Sequence, residues 1–84
     1  MYEVRLARRA ARYYARVDSN TASRLDECFE DLQHNPFSSG NVRPIIGRRG
    51  LYRYRVGSLR VLFTVELRER LVRVVAIAPR GDAY

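Results

Sequence analysis

Three arginines, Arg53, Arg55 and Arg60, recur inside LYRYRVGSLRVLFTV, a stretch that otherwise reads as two apolar strands around a Gly-Ser turn. A buried hairpin has no use for guanidinium groups. What such groups do well is hold oxyanions, because each is planar, always protonated and presents a fork of N–H donors. Gly57-Ser58 fits a two-residue loop with glycine at the first central position, a type II′ signal. That loop sets the register: Val56 faces Leu59, Arg55 faces Arg60, Tyr54 faces Val61, Arg53 faces Leu62 and Tyr52 faces Phe63. Side chains alternate across a sheet. Tyr52, Tyr54, Val56, Leu59, Val61, Phe63 and Val65 therefore share one face as core, while Arg53, Arg55 and Arg60 share the other. Like charges directly across a strand pair destabilise it, so folding alone gives no reason for this face. It is either an ordinary solvent face, with arginine stems covering apolar surface, or an anion site. The opposed charges favour the anion site.

These arginines need a scaffold, and periodicity supplies one. Tyr2, Val4 and Leu6 alternate with Glu3 and Arg5, predicting a short first strand. From about Arg8 the period becomes helical, with Ala7, Ala10, Ala11, Tyr14 and Val17 on one stripe and Arg8, Arg12 and Arg16 opposite. Asp18-Ser19-Asn20 offers turn and N-cap chemistry. A second helix then faces Ala22, Leu25, Cys28, Phe29 and Leu32 inward and ends near His34-Asn35-Pro36. Two helices so tightly joined predict an antiparallel hairpin, with Arg8, Arg12 and Arg16 paired to Asp26, Glu27, Glu30 and Asp31. Residues 37–50 read as a loop, anchored by Ile45 and Ile46. Strands are predicted over 51–56, 59–66 and 71–78. A turn at 67–70 would pair Val65 with Val72, Phe63 with Val74 and Val61 with Ala76. Arg73 then joins the arginine face, and Arg80, with Tyr84 alongside, falls just past the strand next to Arg60. The fold class is α+β: a small antiparallel sheet of about four strands packed on an N-terminal helical hairpin.

Composition narrows the function. The 84 residues make one small domain, 1–84, with no internal repeat or linker. No apolar run approaches the roughly 20 residues a membrane-spanning helix needs, and MYEVRLARRA carries no secretory apolar region. A cytoplasmic location and no membrane contact are expected. Cys28 is the single cysteine, which excludes a disulfide framework and a thiolate metal site. All 16 basic residues are arginine. Residues 1–40 hold six of them against six acids, whereas residues 41–84 hold ten against three, so the whole formal charge of +7 belongs to the second half. Sorting of this kind is the footprint of a polyanion partner.

The chain resembles the RelE/ParE superfamily of toxins from bacterial type II toxin–antitoxin systems. The resemblance rests on the short strand, the helical hairpin ending in NP, Ile46-Gly47, the stretch YRYRVG followed by RVLF, and the ending PRGDAY. That ending is similar to the R-x-x-x-Y close of RelE-type messenger-RNA interferases. The resemblance implies cleavage of mRNA in the ribosomal A site, by attack of a ribose 2′-hydroxyl on the adjacent phosphate, and a cognate antitoxin that blocks the basic site. It implies catalytic roles for Arg53, Arg55, Arg60, Arg80 and Tyr84, with RNA contacts from Arg48, Arg49 and Arg73. A ParE-like relative would instead inhibit DNA gyrase by protein contact through the helical hairpin, and a non-catalytic RNA-binding member is a third reading.

Internal transesterification brings its own nucleophile, so it asks for neither metal nor cofactor. His34, the single histidine, sits beside a helix-ending proline and reads as a surface or capping residue. Arginines cannot release a proton at working pH, which limits Arg53, Arg55 and Arg60 to stabilising charge on the phosphate oxygens. Arg80 would steady the transition state or the leaving group. Tyr84 is then the candidate proton acceptor, since neighbouring cations favour a phenolate; stacking on a base is its alternative role.

Overall fold

The computed structural model describes residues 1–37 and 40–79. The elements are β1 (Glu3–Leu6), α1 (Arg8–Arg16), α2 (Ser19–His34), β2 (Val42–Pro44), β3 (Tyr52–Val56), β4 (Leu59–Glu66) and β5 (Leu71–Pro79). They form one five-stranded sheet, ordered β1-β5-β4-β3-β2. Two features depart from the sequence reading. Val42–Pro44 adds a fifth strand inside the expected loop, and β1 runs parallel to β5 rather than antiparallel. Alternation announces a strand, but its partner and direction are tertiary facts.

The helices follow their local signals. Asp18 caps α2, its carboxylate accepting from the Thr21 N–H at 2.8 Å, and this bond holds its pKa below the usual carboxylate value. Asn35 ends the helix ahead of the buried Pro36. Both helices bury apolar side chains against one face of the sheet. There Ala10, Leu25, Cys28 and Leu32 meet Tyr54, Val56, Val61, Phe63, Val72, Val74 and Ile77. On α1 the inward set differs from expectation: Ala11 is exposed, and Tyr13 packs against the core in its place. Tyr14 joins the helices, its hydroxyl donating to Asp26 at 2.6 Å and its ring tilted against Phe29. Among the described residues the ion pairs are Arg5–Glu3 and Arg73–Glu66. The predicted pairing of Arg8, Arg12 and Arg16 with the acids of α2 does not form.

The hairpin takes the register read from its turn. Tyr52 pairs with Phe63, Arg53 with Leu62, Tyr54 with Val61, Arg55 with Arg60 and Val56 with Leu59. Gly57 has φ 57°, while Ser58 is not among the positive-φ residues, as a type II′ turn requires. A Cβ on Gly57 would stand 2.5 Å from the Arg24 Nη2. Tyr52 and Tyr54 face inward as expected. Tyr52 stacks on Phe63; Tyr54 donates its hydroxyl to Asp31, with the Asn41 side chain bonded to the same oxygen.

Strand β5 departs from the expected pairing by one residue. Phe63 lies opposite Val74 but Leu62 lies opposite Ala76, so Val75 has no counterpart and forms a bulge. Val61 is consequently paired with Ile77, not Ala76. Ile77 takes the core place, and Ala76 and Ala78 move to the arginine face.

Three outcomes test this account. Burial first, and the bond to Asp31 second, push the Tyr54 pKa up to about 12. A phenol whose folded pKa lies above its unfolded value contributes stability below pH of about 10 and loses it as pH rises through about 12. Thermal melts between pH 9 and 12 should therefore fall less steeply for Tyr54→Phe than for its parent, both carrying Tyr14→Phe to remove a second raised phenol. Gly57→Ala should cost about 1–2 kcal/mol in urea unfolding, since alanine is strained at positive φ and meets Arg24. Arg70, at φ 51°, is the one non-glycine positive-φ residue described, so Arg70→Gly should gain about 0.5 kcal/mol in the same assay.

Candidate nucleic-acid interface

The helices occupy one face of the sheet, leaving the other to Arg53, Arg55, Arg60 and Arg73. This second face has its own small apolar cluster. Ile45 and Leu51 fold over Leu62 and Ala76, with Val75 beside them. The segment 45–51 is pinned by backbone bonds: the Ile45 N–H donates to Leu51 O at 2.9 Å, and the Leu51 N–H donates to Arg48 O at 3.2 Å. Gly47 (φ 84°) and Gly50 (φ 80°) supply the left-handed turns this path needs. Of the two predicted anchors only Ile45 is buried. Ile46 is 97% exposed and lies outside the cluster.

Between that loop and the hairpin lies a groove of about 560 Å³, lined by Arg43, Pro44, Ile45, Ile46, Arg53 and Arg60. Its charges come from three adjacent strands. Arg60 stands on β4 opposite Ala78, is half-buried, and has its Nε shielded from solvent. Arg53 stands on β3, where its Nη1 donates to Asn41 O at 3.5 Å. Arg43 stands on β2 directly opposite Arg53, its Nη1 held by the carbonyls of Gly40 at 3.1 Å and Val42 at 2.9 Å. Two like-charged cross-strand pairs, Arg43–Arg53 and Arg55–Arg60, thus sit side by side. Like charges directly across a strand pair are destabilising, by on the order of 0.5 kcal/mol where nothing screens them. The bulge at Val75 contributes as well. It brings two alanines, Ala76 and Ala78, to this face where the unbulged register would bring Val75 and Ile77, and so leaves room beside Arg60.

The remaining candidates are placed as follows. Arg55 is exposed and shares the face of Arg53, but it borders a cleft with Arg24, Glu27, Glu30 and Asp31 of α2 rather than the groove. Arg48 and Arg49 are exposed on the turn between Gly47 and Gly50, just beyond the Ile46 wall. Arg73 pairs with Thr64, four residues along β4 from Arg60 and so about 13 Å away. There its guanidinium meets Glu66 at 3.4 Å. Arg80 and Tyr84 lie outside the described residues. Arg43 is the site residue that sequence reasoning missed. The signal was the alternation of Val42-Arg43-Pro44, whose middle residue meets Arg53, concealed in a segment read as a loop. Among the described residues no three His, Cys, Asp or Glu side chains stand together as metal ligands would.

What this surface can do is bind a chain of phosphates. Guanidinium donors fixed on a rigid sheet meet oxyanions without reorganising, and the apolar wall of Pro44, Ile45 and Ile46 offers a surface for a nucleobase.

Comparison with solved structures finds the same architecture. The RelE of the archaeal RelE–RelB complex from Pyrococcus horikoshii OT3 superposes with a TM-score of 0.83 at 23% identity, over 98% of each chain. The intact E. coli RelBE toxin–antitoxin complex gives 0.82 at 17% identity, over 96% of this chain and 99% of that one. A YoeB/ParE toxin from Agrobacterium tumefaciens gives 0.82 at 15% identity, over 93% and 98%. A sequence comparison with curated proteins finds no match. Residues 4–84 match the family described as the ParE toxin of type II toxin–antitoxin system, parDE. With residues 4–84 matched by the family and the same fold in the solved structures, the protein belongs to the RelE/ParE superfamily of type II toxins.

Proposed function

We propose that the toxin is a metal-independent endoribonuclease that cuts mRNA in the ribosomal A site and is neutralised by a cognate antitoxin. One observation carries this reading: Arg43, Arg53 and Arg60, on three neighbouring strands, line a single groove on the helix-free face of the sheet. A groove of this charge and shape suits a ribose-phosphate backbone. A protein-contact inhibitor has no need of opposed guanidinium groups there.

In the proposed step a ribose 2′-oxygen forms a bond to the adjacent phosphorus while the bond to the 5′-oxygen breaks. The proton leaves the 2′-hydroxyl for the Tyr84 phenolate, the departing 5′-oxygen takes one from water, and the Tyr84 phenol then returns its proton to the hydroxide so formed. The products are a 2′,3′-cyclic phosphate and a 5′-hydroxyl end. Charge builds on the non-bridging oxygens, where Arg60 and Arg53 stabilise it and Arg43 holds the flanking phosphate. Arg55 adds to the field from the opposite strand, and Arg80 steadies the leaving oxygen. Arg48, Arg49 and Arg73 contact the RNA on either side.

The match to the ParE toxin family supports a second reading, inhibition of DNA gyrase through protein contact. Mapping transcript ends during toxin-induced arrest separates the two. The expected result is cleavage within codons leaving 5′-hydroxyl ends, reduced about 10²–10³-fold by Arg60→Ala or Arg53→Ala and abolished by Arg80→Ala and Tyr84→Phe. Arrest with intact mRNA and lost supercoiling would establish the gyrase reading instead. Binding of a short non-cleavable single-stranded RNA, titrated against KCl, should give a log–log slope about 2 units shallower when Arg43, Arg53 and Arg60 are all replaced by glutamine.

A further inference from the structure

Two guanidinium groups of the groove are oriented by main-chain carbonyls of one short segment. Gly40 O and Val42 O both accept from the Arg43 Nη1, at 3.1 and 2.9 Å. Asn41 O, between them in sequence, accepts from the Arg53 Nη1 at 3.5 Å. An arginine stem rotates about several bonds, and freezing it on a ligand costs entropy. A guanidinium held by carbonyls is ordered before the ligand arrives. The ladder under this segment is a weak hold. Strand β2 is three residues long, lies at the edge of the sheet and ends in proline, which cannot donate to a ladder. One bond extends the pairing beyond it, from the Arg55 N–H to Asn41 O at 3.3 Å. A stronger tie comes from the helix side of the sheet. The buried Tyr54 hydroxyl gives its one proton to Asp31. The bond between that oxygen and Asn41 is therefore donated by the Asn41 side-chain amide. Burial and the bond to Asp31 raise the Tyr54 pKa, whereas the bond from Asn41 lowers it, as a donor to the phenol oxygen does. Asp31 alone would satisfy the buried phenol. The further bond from Asn41, an exposed residue, is not needed to keep Tyr54 in the core.

We propose that Asn41 is a positioning residue of the arginine groove: its side chain, bonded to Tyr54, holds in place the carbonyls that aim Arg43 and Arg53 at a phosphate chain. The identity of that ligand rests on the reading of the groove as an RNA site given above. The link runs from Asp31 on α2, through Tyr54 on β3, to the residue that precedes β2. It reaches Arg53 through the Asn41 carbonyl and Arg43 through the carbonyls on either side. Asn41 touches no phosphate in this account and acts only through the two arginines. Its amide suits the task, because it donates to the phenol oxygen without adding a charge beside Asp31.

The test uses the full chain with Asn41→Ala, with Tyr54→Phe and with both, none of which alters the formal charge. Binding of the short non-cleavable single-stranded RNA is followed by fluorescence anisotropy at 100 mM KCl. Each single variant is expected to bind about 5-fold more weakly, the effect of one hydrogen bond. The double variant should also lose about 5-fold, because both changes break the same link. Added to Arg43→Gln and Arg53→Gln, Asn41→Ala should cause no further loss. A second measurement needs no RNA. In ¹⁵N spectra at pH 6 the heteronuclear NOE of the Arg43 and Arg53 Nε–Hε groups should fall in Asn41→Ala, while that of Arg73, paired with Glu66, stays as in the wild type. Unchanged values for both arginines would overturn the proposal. So would wild-type RNA affinity in Asn41→Ala, a double variant whose loss is the product of the two single losses, or an Asn41→Ala loss that persists once both arginines are replaced. Should RNA binding survive replacement of Arg43 and Arg53, the groove reading falls, and a lowered NOE in Asn41→Ala would still establish the positioning.

Discussion

The constraint on which the rest depends is that both helices cover the same face of one sheet. A five-stranded sheet has two faces, and a chain this short can build a full helical layer over only one. The covered face takes Phe63, Val61, Val72, Val74 and Ile77. Among the described residues the other face carries a smaller patch of apolar packing, where Ile45 and Leu51 lie over Leu62 and Ala76. That patch fixes the β2–β3 connection, and the connection forms one wall of the groove. Site and fold are thus joined through a satellite core of four buried side chains. Loosening it would misplace Ile46 and the strand carrying Arg43 while leaving the main core intact.

Strand pairing explains why the arginine stems leave the sheet side by side. Cross-strand neighbours have their Cβ atoms held about 5 Å apart by the backbone ladder, so the stem of Arg43 starts beside that of Arg53 and the stem of Arg55 beside that of Arg60, even though Arg55 then reaches toward α2. The main core keeps the ladder intact. Burial of Phe63 and its neighbours therefore opposes the repulsion on the far side of the same strands.

Much of this could be read from the residues, for identifiable reasons. Gly57-Ser58 fixed the hairpin register because a two-residue loop leaves no slack, and the register alone separated Tyr52 and Tyr54 from Arg53 and Arg55. Asp18 and Pro36 marked the limits of α2 because capping and pre-proline sterics are local. The misses share the opposite property. The bulge at Val75 inserts one residue into a run, LVRVVAIAP, whose members are almost all apolar, so no change of alternation betrays it. Ile45 and Ile46 are chemically equal, and which of them is buried is decided by the path of the loop across the sheet, which adjacent identical residues do not encode. Strand β2 is three residues long and ends in proline, and its pairing with β3 depends on a hairpin that closes elsewhere. The parallel placement of β1 is a matter of topology, which periodicity does not encode.

Charge counting shows the same limit. The first forty residues sum to zero, which suggests a neutral, self-satisfied helical half. The sum hides a segregation, since α1 holds four arginines and no acid while α2 holds four acids against Arg24. Had the two helices zipped through ion pairs, this division would be internal bookkeeping. The acids of α2 instead turn toward tyrosine hydroxyls at its junctions with α1 and β3, so two of the charges that could have quenched α1 hold the helices and sheet together. Tyrosine is the better partner for that task, because a phenol can be buried at a junction where a guanidinium would have to be desolvated. Building the junctions this way leaves the arginines of α1 exposed, and the positive surface of the protein continues from the sheet face onto the helical layer.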